Sequence, residues 1–243
     1  MQLTKMEYNN VLCAVEELAS KQLNTDINKY RTEVLDILNN VLGYNHSLFW
    51  FINENQKLIE PILLNIEEQS LQEYHQYFYK KDFLHPINLK KKKRVQKLND
   101  VILFSEYLRS EYYNAFMKKN GFIDEMALYL EYNEELVGVI GLVRNNEEKQ
   151  FTISDYIKLN YLAKQIESGF NLQRVMKSIE KESVLLTMRE QEIVNHLQKG
   201  EKNKEIAQKL YVSENTIKKH LQNLYRKFNA NNRTELLYKL NNM

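Results

Sequence analysis

The chain has 243 residues, with 34 Lys and Arg against 32 Asp and Glu and a formal net charge of +2. That length predicts one large or two modest domains, and 43% hydrophobic with 27% charged residues is the balance of a soluble globular protein. The single cysteine, Cys13, excludes an internal disulfide; with five scattered histidines it offers no metal-ligand spacing, so no metal and no cofactor is expected.

The charge is uneven along the chain. From Lys181 onward there are 12 Lys and Arg and 7 Asp and Glu, a net +5, which leaves −3 for the rest. A positive C-terminal segment on a near-neutral chain points to a polyanionic partner. No run approaches the roughly 20 apolar residues of a membrane span. The opening MQLTKMEYNN also lacks the apolar core of a secretory leader. The expectation is a cytoplasmic chain with no membrane partner.

In chain order, an amphipathic helix is predicted from about Glu7 to Leu23. Thr25 or Asp26 opens a second, in which Ile27, Tyr30, Val34, Ile37, Leu38 and Val41 keep helical spacing and Gly43 closes the pattern. The aromatic run Ser47 to Ile52 reads as a strand. Asn53, Glu54 and Asn55 turn it into a second strand over Lys57 to Asn65, where Pro61 marks an edge or a bulge. A second hairpin is predicted from Asp124–Tyr132 and Leu136–Arg144, joined by Asn133, Glu134 and Glu135. Between the hairpins lies a long helical or looping stretch with the aromatics Tyr74, Tyr77, Phe78, Tyr79 and Phe83 and the basic run Lys90 to Arg94, read as a solvated loop. A long helix follows. Thr152 and Asp155 cap it reciprocally, Phe151 and Tyr156 staple it, and Ile153, Tyr156, Leu159, Leu162, Ala163, Ile166 and Phe170 line its apolar side. The pattern continues through Val175, Met176 and Ile179, with Gly169 as its one interruption.

The last 58 residues carry four helical patterns, each with its own start signal. Thr187 with Glu190 forms a capping box, and Gly200 ends that helix. Asn203 caps a second helix to about Leu210, with Ile206, Ala207 and Leu210 inward. Tyr211 and Val212 make a turn, and Ser213 caps the third helix. There Ile217, Leu221, Leu224 and Phe228 line one side, and Asn215, Lys218, Lys219, Gln222 and Arg226 another. Asn232 and Glu235 open the fourth, with Leu236, Leu237 and Leu240 inward. Lys donates to guanine O6 and N7, and Gln pairs with adenine N6 and N7, so a helix with this exposed face suits a major groove. Arg226 and Lys227 read as general phosphate attraction, and His220, between the two faces, as structural.

The motifs LT-x-RE-x-E-I, NKEIA-x-x-L, VS-x-NTIKKHL, Y-x-K-F and NRTEL resemble the LuxR-type DNA-binding domain over about residues 184 to 243. The resemblance implies four helices, of which the third reads double-stranded DNA and the fourth helps to form a homodimer. Carried over by position, Lys218, Lys219 and Gln222 face bases, and Asn203, Lys204, Ser213, Thr216 and Arg233 face phosphates. Many members have a basic residue at the place of Gln222, so the base preference does not carry over.

The strand ELVGVIGLVR, the start FTISD and L-x-x-LAKQI resemble a GAF-type sensor domain over about residues 5 to 175. The expected fold class is therefore α+β: a GAF-like helix–antiparallel sheet–helix domain over 1–175, a helical linker over 176–185, and an all-α four-helix helix-turn-helix domain over 186–243. The GAF resemblance implies a pocket for an unknown small-molecule ligand, lined by Trp50, Tyr79, Phe83, Phe122, Met126 and Tyr129; a plain aromatic core is the competing reading. The predicted function is a dimeric, sequence-specific transcription regulator that is not an enzyme. Two alternatives stand for its front half. One is a pure protein-interaction module. The other is an acyl-homoserine-lactone sensor, whose aromatic and Asp pattern QEYHQYFYKKDFLHP echoes without matching its spacing.

Overall fold

The computed structural model describes residues 2–22, 26–53, 55–89, 93–184 and 186–241. It divides into two compact units, Met1–Val175 and Met176–Met243. Among the described residues no helix is long and apolar enough to cross a membrane, and no group of His, Cys, Asp and Glu could hold a metal ion.

The first unit is an antiparallel sheet covered on both faces. Its strands are β1 (His46–Ile52), β2 (Leu58–Leu64), β3 (Val95–Lys97), β4 (Phe122–Tyr132) and β5 (Glu135–Asn145), in the spatial order β2-β1-β5-β4-β3. Helices α1 (Lys5–Lys21) and α2 (Ile27–Leu42) join α5 (Ile153–Val184) on one face. They bury Leu18, Val34, Leu38, Leu159, Ile166 and Phe170 against Phe49, Leu128, Ile140 and Leu142 of the strands. Consecutive strand residues point to opposite faces, so Trp50, Ala127, Tyr129 and Val139 look the other way. They meet Tyr74 of α3 (Glu68–Gln76), Tyr107 of the single-turn α4 (Phe104–Tyr107), and Tyr112 and Phe116 of a π turn, Tyr112–Met117. Burial on both sides explains why β4 and β5 read as continuous apolar runs rather than alternating ones.

Local chemistry fixes the ends of these elements. Thr4, not Glu7, opens α1: its hydroxyl accepts from the Glu7 amide at 3.2 Å and its amide donates to Glu7 Oε2 at 2.9 Å. Leu23 and Thr25 lie outside the described residues; Asp26 caps α2 by accepting from the Asn28 amide at 2.8 Å. Gly43, at φ 72°, ends α2 as expected. The hairpin turn is shorter than expected. Asn133 and Glu134 alone take positive φ, 50° and 67°, and Glu135 already pairs with Tyr132. Two such residues make the primed turn whose twist matches the strands. Pro61 lies on edge strand β2 and also beside a bulge, since the β1–β2 register shifts between Phe49 and Phe51. The buried Arg31 holds that bulge. Its Nη2 donates to the carbonyls of Phe49 and Glu60, and its guanidinium lies 4.1 Å from the Phe51 ring centre.

Three expectations need correction. Strand β3 was not predicted, because three residues in a basic stretch carry no periodicity. Lys90, Lys91 and Lys92 of that stretch lie outside the described residues, and Arg94 pairs with Glu167 at 3.4 Å. Ile153 faces outward, not into the core. Gly169 does not interrupt α5, which is continuous through it.

Gly169 is there for space. A Cβ at that position would lie 2.1 Å from Tyr30 Oη and 2.5 Å from its Cζ. Tyr30 is fully buried and donates to the Ile166 carbonyl at 3.2 Å, so it has nowhere to swing. Replacing glycine by alanine inside a helix ordinarily gains about 1 kcal/mol. Here the sign reverses: Gly169→Ala is expected to lower stability by about 1–3 kcal/mol in chemical denaturation. A neutral or stabilising result would contradict the close approach of Tyr30.

Candidate functional site

The second unit holds α6 (Met188–Gln198), α7 (Asn203–Lys209), α8 (Glu214–Lys227) and α9 (Arg233–Asn241) around Ile193, Leu197, Ile206, Ile217, Leu221, Leu224 and Leu236. Ala207 is buried where α7 meets α8, and the chain turns between those helices over Leu210 to Ser213. Tyr211 takes φ 53° there with its ring almost wholly exposed, and the Val212 amide returns to the Ala207 carbonyl at 3.0 Å. Ser213 caps α8 by accepting from the Thr216 amide at 3.1 Å, and the two hydroxyls meet at 2.8 Å.

At about 100° of rotation per residue, the buried Ile217, Leu221, Leu224 and Phe228 take one side of α8. Asn215, Lys218, Lys219, Gln222 and Arg226 fall within an arc of about 100° on the opposite side, and all five are exposed. Lys218 makes a surface pair with Glu214 at 3.2 Å, and Arg226 donates to Asn223 at 3.0 Å. Such exposed contacts contribute a few tenths of a kcal/mol and exchange readily for a phosphate or a base edge. Among the described residues the side chains of Asn215, Lys219 and Gln222 have no partner. Lys204 is exposed on the first turn of α7, and Asn203 is half-buried beside it.

Three expected roles are corrected by the contacts. Asn203 is the first residue of α7, not its cap; Lys202 precedes the helix, and its amide donates to Glu205 at 2.7 Å. Arg233 turns inward and donates to the carbonyls of Leu197 and Glu201 at 3.2 and 2.8 Å, closing the end of α6. Lys227 is also structural. Its Nζ lies 3.0 Å from Glu190 Oε2, the oxygen that accepts from the Thr187 amide at 2.9 Å. One carboxylate thus ties the start of α6 to the end of α8. Asn232 does cap α9, accepting from the Glu235 amide at 2.9 Å, while the Glu235 carboxylate reaches the Asn231 amide instead of Asn232.

A second place of interest lies in the first unit. A cavity of about 80 Å³ separates the outer sheet face from α3 and the π turn. Of the six aromatic and Met candidates, Trp50, Phe122 and Met126 line it. Tyr79, Phe83 and Tyr129 do not: Tyr79 is half-buried beside His85, Phe83 packs on Tyr107 and Tyr112, and Tyr129 donates to the Leu84 carbonyl at 2.6 Å. The sequence reading missed the acidic part of the lining, Asp82 and Glu125. A carboxylate inside an apolar run, as in DEMALYL, is the signal that pointed to it.

The Glu190 carboxylate has a pH consequence. Burial raises its pKa, but the Thr187 groups and the Lys227 ammonium more than offset this and hold it below the ordinary glutamate value. A depressed folded pKa contributes stability that is present at neutral pH and lost as pH falls through the folded value. Lys227→Met is expected to destabilise the second unit by about 1–2 kcal/mol at pH 7, with the difference from the unaltered chain shrinking in acid. Calorimetric unfolding at several pH values checks this; a difference independent of pH would refute the tie.

The family model for bacterial regulatory proteins, luxR family, matches residues 184–240. The CsgBAC operon transcriptional regulatory protein of Escherichia coli K12 is 56% identical over 54 residues, 22% of this chain and 25% of that protein. The chain thus spans about a quarter of the length of that relative. The monoamine regulon transcriptional regulator of Klebsiella aerogenes is 25% identical over 203 residues, 84% of this chain and 86% of that protein. A crystal structure of Escherichia coli SdiA is 19% identical, over 92% of this chain and 93% of that one, with a TM-score of 0.47. These named relatives are transcriptional regulators rather than enzymes, and it is the helix-turn-helix part of this chain, residues 184–240, that the luxR family model matches.

Proposed function

We propose that the chain is a transcription regulator whose α8 reads double-stranded DNA in the major groove, that it does so as a homodimer, and that its first 175 residues sense a small molecule. The observation that carries the first part is the two-sided α8. One side is buried in the domain, and Lys218, Lys219 and Gln222 are exposed on the other. Asn203, Lys204, Ser213, Asn215, Thr216 and Arg226 surround that face and meet phosphates, and the exposed Tyr211 hydroxyl joins them. Arg233 and Lys227 hold the domain together instead. The sensing role rests on the cavity in the first unit. A GAF-like pocket is the form in which it is expected, and location in the cytoplasm follows from the DNA target.

Lys219→Ala and Gln222→Ala are each expected to lower affinity for a selected duplex by about 1–3 kcal/mol and to relax preference at one base position. Arg226→Ala is expected to weaken selected and scrambled duplexes alike and to reduce the slope of affinity against salt by about one. Anisotropy titrations over a salt series read both effects. Unchanged base preference in both α8 variants would remove this helix as the reader.

The dimer rests on a second stripe. Outside its buried face, α5 carries Ile153, Tyr161 (59% exposed), Leu172 (39%) and Val175 (37%), which share an arc of about 100°. Phe170 lies off this stripe, buried against Phe49 and Phe51, and the side chain of Ile179 lies outside the described residues. A second copy of the same helix is the simplest cover for such a stripe, and it pairs two reading helices on a two-fold site. Tyr161→Asp with Leu172→Asp is expected to halve the mass in sedimentation and to lower operator affinity at least tenfold. An unchanged mass would show that the stripe is not the interface.

A further inference from the structure

We propose that the cavity of the first unit binds a small amine, with its ammonium between Glu125 and Asp82 and its apolar body against the aromatic walls. The proposal rests on the reading of this unit as a small-molecule sensor and names the chemical class of what it senses.

Glu125 is the main observation. It is 6% exposed, its Oε1 has no hydrogen-bond partner, and its Oε2 receives only a 3.3 Å contact from the Tyr112 hydroxyl. Asp82, equally buried, lines the same cavity and accepts from the Tyr74 hydroxyl at 2.6 Å and the Leu84 amide at 2.7 Å. Among the described residues neither carboxylate has an ion-pair partner, and the cavity lining holds no Lys or Arg; His85 is its one base. A buried carboxylate without a countercharge is strongly disfavoured. Burial accordingly pushes Asp82 up to about 6 and Glu125 well above the ordinary range, the second also by repulsion from the first.

The rest of the cavity selects among cations. Trp50, Tyr74, Tyr112 and Phe116 form walls of stacked and tilted rings 5.6–6.1 Å apart. Such faces attract an ammonium and bury an apolar body. The ring faces themselves supply no oxygen ligands for calcium or magnesium, and among the described residues no group of His, Cys, Asp and Glu could hold a metal ion. A neutral ligand would gain nothing from the charge of either carboxylate, and an anionic one would be repelled by it, whereas an ammonium stabilises the ionised pair. At roughly 10–15 Å³ per water, a cavity of about 80 Å³ holds about six waters, which is room for a molecule of six to ten heavy atoms.

Trp50 is the only tryptophan of the chain and stands in the cavity wall, so its emission reports occupancy directly. The probes are benzylamine, benzyl alcohol and benzoate, titrated into the full-length chain. Benzylamine is expected to change Trp50 emission saturably and to bind at least tenfold more tightly than the alcohol or the acid. Glu125→Gln is expected to weaken benzylamine at least tenfold and leave benzyl alcohol unaffected, and Asp82→Asn to act in the same direction. No saturable change with benzylamine, equal binding of the alcohol, or full benzylamine affinity in Glu125→Gln would each overturn the proposal. If Glu125→Gln does not fold by circular dichroism, the comparison of amine with alcohol on the unaltered chain decides. Operator affinity is measured in the same samples. Benzylamine that binds without moving operator affinity keeps the site and ends the sensor reading. A benzyl alcohol response at the operator without benzylamine binding keeps the sensor and ends the amine.

Discussion

The second unit depends on α8 satisfying two surfaces at once. A helix that buries Ile217, Leu221 and Leu224 cannot rotate without exposing them, so its opposite face is fixed in direction by packing alone. Fixing the axis requires more, and both ends of α8 are held. Ser213 closes its first turn, and Lys227 binds the carboxylate that also caps α6. Arg189 donates to the Leu210 carbonyl at 2.8 Å and Arg233 to that of Leu197, so α7 and α9 are pinned by charged side chains facing inward. Basic residues of this domain therefore divide into two sets. One set builds the platform, and the other stays exposed on α8.

Most of this was legible from side-chain periodicity and caps. The α8 faces followed from i, i+4, i+7 spacing, and the Thr187–Glu190 and Thr152–Asp155 capping boxes form as their spacing predicts. What failed was the division of roles among like residues. Lys227 ends α8 and Arg233 follows it closely, and both are basic, yet their partners are carbonyls and a carboxylate far away in sequence, which no local pattern encodes. Strand β3 failed for the opposite reason. Its three residues pair with Met126, Ala127 and Leu128, and the pairing is carried by the longer strand. Gly169 reads as a helix breaker until Tyr30, 139 positions earlier in the chain, is placed against it. The cavity was the least legible feature. Aromatics that pack and aromatics that line a space have the same sequence signature, and only the acidic residues among them set the cavity apart.

The two units share a helix, since the boundary at Val175 falls within α5. If a ligand in the first unit and DNA on the second bias the same dimer, each must alter the affinity of the other by an equal factor. The buried carboxylates suit such a role. A cation arriving beside them changes the local electrostatics of the packed sheet face far more than a neutral ligand would, because the surroundings are apolar.

The central claim is that α8 lies in the major groove. Cys13 is the only cysteine, so Cys13→Ser with Asn223→Cys carries a single thiol for an iron chelate tethered beside the reading face. Cleavage of a bound operator is expected at discrete positions facing the major groove in each half-site, and the same chelate at Tyr238→Cys on α9 should leave those positions intact. Cleavage spread evenly along the duplex, or equal from both tethers, would contradict the placement of α8.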